Sequence, residues 1–562
     1  MEVGTSMTDS NLKDYNNFYA DLAQSAYRGR PNTLSRYNNA LNWTLIDYSQ
    51  DIVDDGEITP GGKKLPHDGK VYLQPDPELR DTYKVTSTPV PDTNGMRQDI
   101  HHKRYQKGLL TDDEAGFSAY YLTDTPTLGS DTTKTYMTIR GSDAISMENW
   151  NDWVDNDAKF ALNHIHIPQA KLATAGMKSK IAEMTEKAPQ ATMDITAHSL
   201  GTIVSAQGVA GLSDQELKKI GKVVLFDGPD TTKSLKKMGL SDEKIKKISE
   251  KIEYYVNPFD VVGMLNREHT ITKLPGDSDE PLKKPVGKVN VLVPLHYTQI
   301  TDPESSHDFG VFQSDGKGNL LTASEDFHPE LLRAGEKLAR LIATTLDSLR
   351  ALGVDENVAS NVLNAIMRGE FKIKAAIGYA VYENFTTEYS KIVEEARQES
   401  IKWDREAIPR YQEQLRSGNL SGNQRILVRA QLLQTAAQLA NFDMEDKVKS
   451  VKTLLSDAKE DIQNMIKETR QTAFDMVGYL SSSEVTNLLS GFDTTSFWDE
   501  GVASDTKTAA TSFLTQIEQL GESLVKASGS FETIDTNSAE DFNNLLADVK
   551  QTWRGKNVSP NG

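Results

Sequence analysis

Proline all but disappears where the hydrophobic period of the chain changes, and this break constrains the fold more than any other feature. Of the 20 prolines, only Pro409 and Pro560 follow Pro329. Proline removes a backbone donor and clashes inside a helix, so a long stretch nearly free of it is open to continuous helix. Before the break, short β-like runs (Lys134–Arg140, Met193–Thr196, Lys222–Phe226, Ile252–Val256 and Val289–Val293) alternate with helical periods over 168–188 and 231–250. Such alternation predicts an α/β fold with a mostly parallel sheet and flanking helices. After it, Leu331, Gly335, Leu338, Ile342, Leu346 and Leu349 recur at three- and four-residue spacing. Tyr382, Phe385, Tyr389, Ile392 and Ala396 do the same, as do Val448, Val451, Leu455, Ala458, Ile462 and Met465, and Phe513, Ile517, Leu520, Leu524 and Ala527. These stripes predict amphipathic helices, separated by turns at Ser417–Asn423, Leu480–Ser483 and Ser528–Ser530. The expected organisation is an α/β domain over 1–330 followed by an elongated all-α helical bundle over 331–562.

Composition narrows the function. A chain of 562 residues exceeds one ordinary core. Cysteine is absent, which excludes disulfides, thiol catalysis and thiolate metal sites. A formal charge of −19 argues against nucleic acid as a partner and gives no long-range attraction to an anionic membrane. Lipid contact would therefore rest on local apolar surface. No run approaches the ~18 apolar residues of a membrane span, and the first residues have neither the basic nor the apolar region of a secretory signal. His101-His102-Lys103-Arg104 reads as a solvated basic loop and not a metal site, so neither metal nor cofactor is expected. Residues 54–100, rich in Pro, Gly and Asp, are a candidate lid or rim, and Tyr19–Tyr27 a candidate opening helix.

The sharpest chemical signal is Ala197-His198-Ser199-Leu200-Gly201, closing the run from Ala191. A nucleophilic serine on a cramped strand-to-helix turn needs small residues two before and two after it, here Ala197 and Gly201. The buried helix that follows would set its first N–H groups, Leu200 among them, beside the serine where an oxyanion forms. Downstream imidazoles are His269, His296, His307 and His328; His307 lies in a polar loop suited to a mobile base, while His296, among Pro294, Leu295 and Tyr297, suits packing.

Upstream, strand Lys134–Arg140 ends in Ile139-Arg140-Gly141-Ser142-Asp143, followed by Glu148-Asn149-Trp150-Asn151-Asp152-Trp153. This resembles the class 3, fungal-type lipases, as do Val223–Pro229 and Tyr254-Tyr255-Val256-Asn257-Pro258-Phe259-Asp260-Val261-Val262. The resemblance covers roughly residues 80–330. It implies an α/β-hydrolase fold with Ser199 as nucleophile, Asp260 as acid and a histidine after the acid, His307 ahead of His296. It also implies an oxyanion hole from Ser142 and the N–H of Leu200. Asp227 stays as the competing acid, and His198 is expected to point away from the acid. Near the C-terminus, Phe531-Glu532-Thr533-Ile534-Asp535 and Trp553-Arg554-Gly555 resemble the aromatic–acid and Trp-x-Gly motifs of LXG and WXG helical proteins. With Phe531, Asp535, Trp553 and Gly555 as a targeting motif, the chain is similar to lipase effectors of type VII secretion in Gram-positive bacteria. That resemblance implies a signal-peptide-independent, secreted antibacterial phospholipase with a phospholipid substrate. It further implies small helical helper proteins on the C-terminal domain and an immunity protein at the producer's membrane. Two rivals remain open: a non-catalytic interaction protein on a hydrolase scaffold, and a serine hydrolase of another ester or amide.

Overall fold

The structure, a computed structural model, describes residues 16–26, 44–47, 70–141 apart from 77 and 93–94, 167–297, 306–307, 312–313, 319–354, 358–359, 361–362, 365–366 and 376–525 apart from 418, 477 and 522. Two compact units divide at Ser400/Ile401.

The first unit is built on one mixed sheet. Its strands are β1 (Thr44–Asp47), β2 (Lys70–Gln74), β3 (Arg80–Asp92), β4 (Gly95–Lys107), β5 (Thr111–Asp112), β6 (Phe117–Thr123), β7 (Lys134–Ile139), β8 (Thr192–His198), β9 (Ile220–Phe226), β10 (Ile252–Val256) and β11 (Lys288–Val291). Strands β7 to β11 lie side by side in chain order and are parallel throughout. Parallel neighbours require crossovers, and the helices supply them. Among these, α1 (Asn16–Ser25) precedes the sheet, α2 (Pro168–Lys187) leads into β8, α3 (Leu200–Ala210) joins β8 to β9, and α4 (Asp242–Ser249) precedes β10. Beyond β7 the sheet turns antiparallel through β6, β5, β4 and β3, with β2 and β1 on a branch from β6. This antiparallel side was not foreseen from the sequence.

Strand residues alternate between faces, and two apolar layers result. Met193, Ile195 and Ala197 of β8 join Met137 and Ile139 of β7, Val223 and Leu225 of β9 and the helices α2 and α3 in one core. Tyr136, Val224, Phe226 and Tyr255 face the other side with Phe18, Tyr19 and Leu22 of α1. The polar alternates of β8 are used there as well: Tyr19 Oη donates to Asp194 Oδ2 (2.9 Å), and Thr196 Oγ1 donates to the carbonyl of Tyr19 (3.0 Å). Residues 16–25 thus supply the opening helix that Tyr19–Tyr27 suggested.

Local chemistry moved three expected boundaries. The helical period over 231–250 is split by Gly239, whose φ of +81° only glycine adopts freely, and Ser241 caps the second piece by accepting from Lys244 N (3.2 Å). The basic residues 101–104 lie in the extended strand β4, not in a loop, because they pair with Tyr83 to Thr86 of β3. The described residues between 331 and 400 belong with the sheet: α5 (Pro329–Ala351) buries Leu331, Leu338, Ile342 and Leu346 in the first core, as α6 (Ala376–Arg416) does Tyr382, Phe385 and Tyr389. The compact unit therefore runs past residue 330.

The second unit, from Ile401, is helical among its described residues. It comprises the end of α6, then α7 (Gly422–Met476), α8 (Ser482–Leu488), α9 (Thr494–Phe497) and a helix over 500–521. Ala407, Tyr411 and Val428 form a small core with Trp403, Leu415, Leu420 and Leu432. Ser481 and Glu484 make a reciprocal capping box that starts α8. No described helix is long and apolar enough to cross a membrane. Phe531, Asp535, Trp553 and Gly555 lie outside the described residues.

Candidate active site

Strand β8 ends at His198 and α3 begins at Leu200, leaving Ser199 alone in the turn with φ +57° and ψ −132°. A positive φ is strained for any residue with a Cβ, at roughly 1–3 kcal/mol, and persists only where surroundings impose it. Here they do. Ser199 N donates to the carbonyl of Phe226 (3.1 Å), while the carbonyl of Ser199 accepts from Thr202 N (3.0 Å) and Thr202 Oγ1 (2.6 Å). The small flanks have an equally direct cause. A Cβ on Gly201 would stand 2.5 Å from the carbonyl oxygen of Ile139 and 3.2 Å from Ala197 Cβ. The turn therefore closes against β7 only with glycine at 201, and it presents the Ser199 hydroxyl at the carboxyl edge of the parallel strands.

Two further loops at that edge meet it. Asp260 follows β10 and caps the short turn Val261–Met264: Oδ1 accepts from Val262 N (3.0 Å) and Oδ2 from Gly263 N (2.7 Å). Its Oδ2 also accepts from His307 Nδ1 (3.0 Å), and His307 Nε2 lies 2.8 Å from Ser199 Oγ. One imidazole thus joins the hydroxyl to the carboxylate. Asp260 is buried, whereas the His307 side chain keeps 24% of its exposure, enough for a reactant to approach. With Nδ1–H directed at Asp260, the unprotonated Nε2 can accept the hydroxyl proton.

The surroundings lock this arrangement. Ser306 Oγ donates to the carbonyl of Phe259 (2.9 Å), tying the residue before the histidine to the residue before the acid. Tyr389 Oη on α6 donates to the same carbonyl (2.7 Å). His198 Nε2–H donates to the carbonyl of His307 (2.8 Å), the two rings 4.8 Å apart. Burial, and then the neighbouring His307, hold the His198 pKa well below the usual histidine value, so a second positive charge is kept from the site. Behind the acid turn, fully buried Arg267 donates through Nε to the carbonyl of Gly263 (2.7 Å) and through a terminal nitrogen to that of Gly228 (2.8 Å). Its guanidinium lies 4.4 Å from the centre of the Tyr254 ring.

The structure brings Ser199, Asp260 and His307 together, with Leu200 at the first position of α3. Ser142 lies outside the described residues. Asp227, with φ +48°, accepts through Oδ1 from Asn257 N (2.7 Å) and so braces the start of the acid loop. His296 is buried, His328 sits in a left-handed turn with Nδ1 2.7 Å from Glu330 Oε1, and His269 N donates to Glu336 Oε1 (2.6 Å). Sequence reasoning missed the supporting roles of His198, Ser306, Tyr389 and Arg267. Their bonds go largely to backbone carbonyls, which leave no trace in residue spacing. No protein-family model, no curated protein and no solved structure matches the chain. Among the described residues, no group of three His, Asp or Glu side chains could hold a metal ion.

Proposed function

We propose that the first unit is an α/β-hydrolase whose Ser199 cleaves acyl esters, with membrane phospholipid as the substrate class. The observation that carries this reading is the hydroxyl–imidazole–carboxylate relay of Ser199, His307 and Asp260, centred on a serine in a strained turn at a helix start. Ser199 Oγ attacks the ester carbonyl as its proton passes to His307 Nε2, and Asp260 stabilises the imidazolium through Nδ1–H. The oxyanion forms at the start of α3, with the N–H of Leu200 and Ser142 as its expected donors. His307 then protonates the departing alcohol, and water, deprotonated in turn by His307, releases the fatty acid. The choice of phospholipid rests on the resemblance to lipase effectors of type VII secretion. The resemblance of the tail motifs makes the helical unit an export signal read with small helical helper proteins, and an immunity protein the guard of the producing cell.

A fluorophosphonate probe should label the intact protein and fail on Ser199→Ala, and mass spectrometry should show fatty acid released from phospholipid by the parent alone. If well-folded parent is not labelled even with lipid present, or if Ser199→Ala releases fatty acid at the parental rate, the proposal falls.

A further inference from the structure

Strands β3 and β4 form a ribbon of thirteen residues a side, paired without interruption from Arg80↔Lys107 to Asp92↔Gly95. Its direction follows from register. At the root, Lys107 pairs with Asp112, and Asp112 with Phe117, the first residue of β6. Strand β6 runs antiparallel to β7, so Phe117 lies by the end of β7, where Arg140 N donates to the carbonyl of Ser118 (2.9 Å). That is the carboxyl edge, the edge that carries Ser199. Strand β4 runs toward its root in the same sense as β6, so its earlier residues lie beyond the edge. The ribbon therefore projects past the carboxyl edge for about 40 Å at the usual strand rise.

Its surface departs from the rest of the chain. In the paired register Tyr83, Val85 and Ser87 share one face with Arg104, His102 and Ile100. Tyr83, Val85 and Ile100 are 65%, 58% and 62% exposed, a concentration of large apolar side chains that folding leaves in water. Over residues 80–107 six Lys and Arg stand against three Asp, with His101 and His102 in addition, whereas the whole chain carries −19; Lys84, Arg104 and Lys107 are in ion pairs with Glu114, Asp81 and Asp112, so the excess of positive charge is modest. A positive, aromatic and aliphatic ribbon on an acidic protein fits the boundary of an anionic bilayer, where tyrosine and aliphatic side chains enter the headgroup layer and cations meet phosphate. A protein strand is the poorer fit to the ribbon's edge: among the described residues β3 ends the sheet, and Pro89 and Pro91 interrupt the N–H groups that an added strand would need.

We infer that the β3–β4 ribbon is a membrane-docking device that seats the Ser199 edge of the sheet on anionic phospholipid bilayers. The inference rests on the hydrolase reading for its purpose but not for its test, because docking can be measured in a chain that cannot turn over. The full chain carrying Ser199→Ala is mixed with vesicles of phosphatidylglycerol and phosphatidylcholine, or of phosphatidylcholine alone, and floated. It should partition onto the anionic vesicles, less so as salt rises, and adding Tyr83→Ser, Val85→Ser and Ile100→Ser should weaken binding by roughly tenfold or more. Because the parent has no cysteine, Val85→Cys and Glu186→Cys, the latter at the opposite end of the sheet on α2, each take a single polarity-sensitive dye. The dye at 85 should shift to the blue on anionic vesicles and the dye at 186 should not, a readout independent of whether the triple variant folds. Equal binding to neutral vesicles, no shift at 85, or equal shifts at both positions would overturn the inference. Failure of fluorophosphonate labelling with docking intact would instead remove the hydrolase reading and leave the ribbon as a lipid-binding surface.

Discussion

Leu338 and Leu454 both sit mid-helix, yet Leu338 is fully buried in the sheet-bearing unit and Leu454 is 67% exposed in the helical one. The contrast extends to their neighbours. In the first unit two apolar layers clamp a sheet, and polar groups inside it, such as Asp260, Thr196 and Arg267, have defined partners. In the second, the described residues form a small core near Tyr411, while Met465, Met476, Leu488 and Phe513 remain exposed. The first unit concentrates its chemistry in geometry, holding a strained serine against an imidazole. The second offers surface. Substitutions should therefore separate the two: in the first unit they should act through position and packing, in the second through what the surface can bind.

The largest effect should come from the relay itself. Asp260→Asn keeps the side chain's shape and an acceptor for the turn, but it no longer holds Nδ1–H toward itself, so His307 loses the tautomer that accepts a proton from Ser199. Ester hydrolysis, read as kcat/KM, should fall by about 10³–10⁴ with an unchanged circular dichroism spectrum. Asp227→Asn, which touches the backbone of Asn257, should cost far less. A larger loss from Asp227→Asn than from Asp260→Asn would reverse the assignment of the acid.

Packing in the first unit should rank next. Leu338→Ala deletes atoms from a filled core and should lower unfolding stability by about 2–5 kcal/mol, measured by denaturant titration. A loss below about 1 kcal/mol would mean that α5 is not part of that core.

This division was partly legible in the sequence. The parallel strands and the serine turn follow from features with short range: alternation, small residues at 197 and 201, and a polar loop around His307. Strand Ile252–Val256 needed only four β-branched or aromatic residues in a run of five to be located. The antiparallel ribbon was not legible, because prolines at 89 and 91 and the sequence Asp92-Thr93-Asn94-Gly95 read as loop chemistry when the partner strand is unknown. Nor was the extension of the first unit to residue 400. The heptad-like spacing of Leu331 to Leu349 records that a face is buried, not whether it meets another helix or a sheet. At the site, the small residues around Ser199 and the resemblance to class 3 lipases named Ser199, Asp260 and His307, whereas the residues that hold them act through carbonyls of Phe259, Gly263 and His307 and could be found only in three dimensions.

A smaller effect should appear with pH. The folded His198 pKa lies well below 6.5, through burial first and the adjacent His307 second, while the unfolded chain has the ordinary value. Between those two values the unfolded state binds a proton that the folded state refuses. The contribution is therefore fully present above pH ~6.5 and is lost as pH falls toward the folded value, at no more than about 1.4 kcal/mol per pH unit. His198→Asn cannot titrate, so its unfolding stability should decline less steeply from pH 7 to pH 5 than the parent's. Parallel declines would show that His198 is protonated as readily in the fold as outside it.

The smallest effect belongs to the helical unit. Leu454→Ala removes the same atoms as Leu338→Ala, but from a side chain that is mostly in water already, and alanine is the better helix former. Stability of the isolated full chain should change by less than about 0.5 kcal/mol in either direction. The informative result is the comparison, since identical chemistry at two helical sites then differs only in what covers it. If Leu454→Ala costs as much as Leu338→Ala in dilute protein, the leucine is buried in solution, and the contrast drawn between a closed geometric unit and an open surface unit no longer holds. If the cost is small in dilute protein and grows with protein concentration, the exposed stripe is being covered by a second copy of the chain, and the helical unit is a surface that already finds a partner in itself.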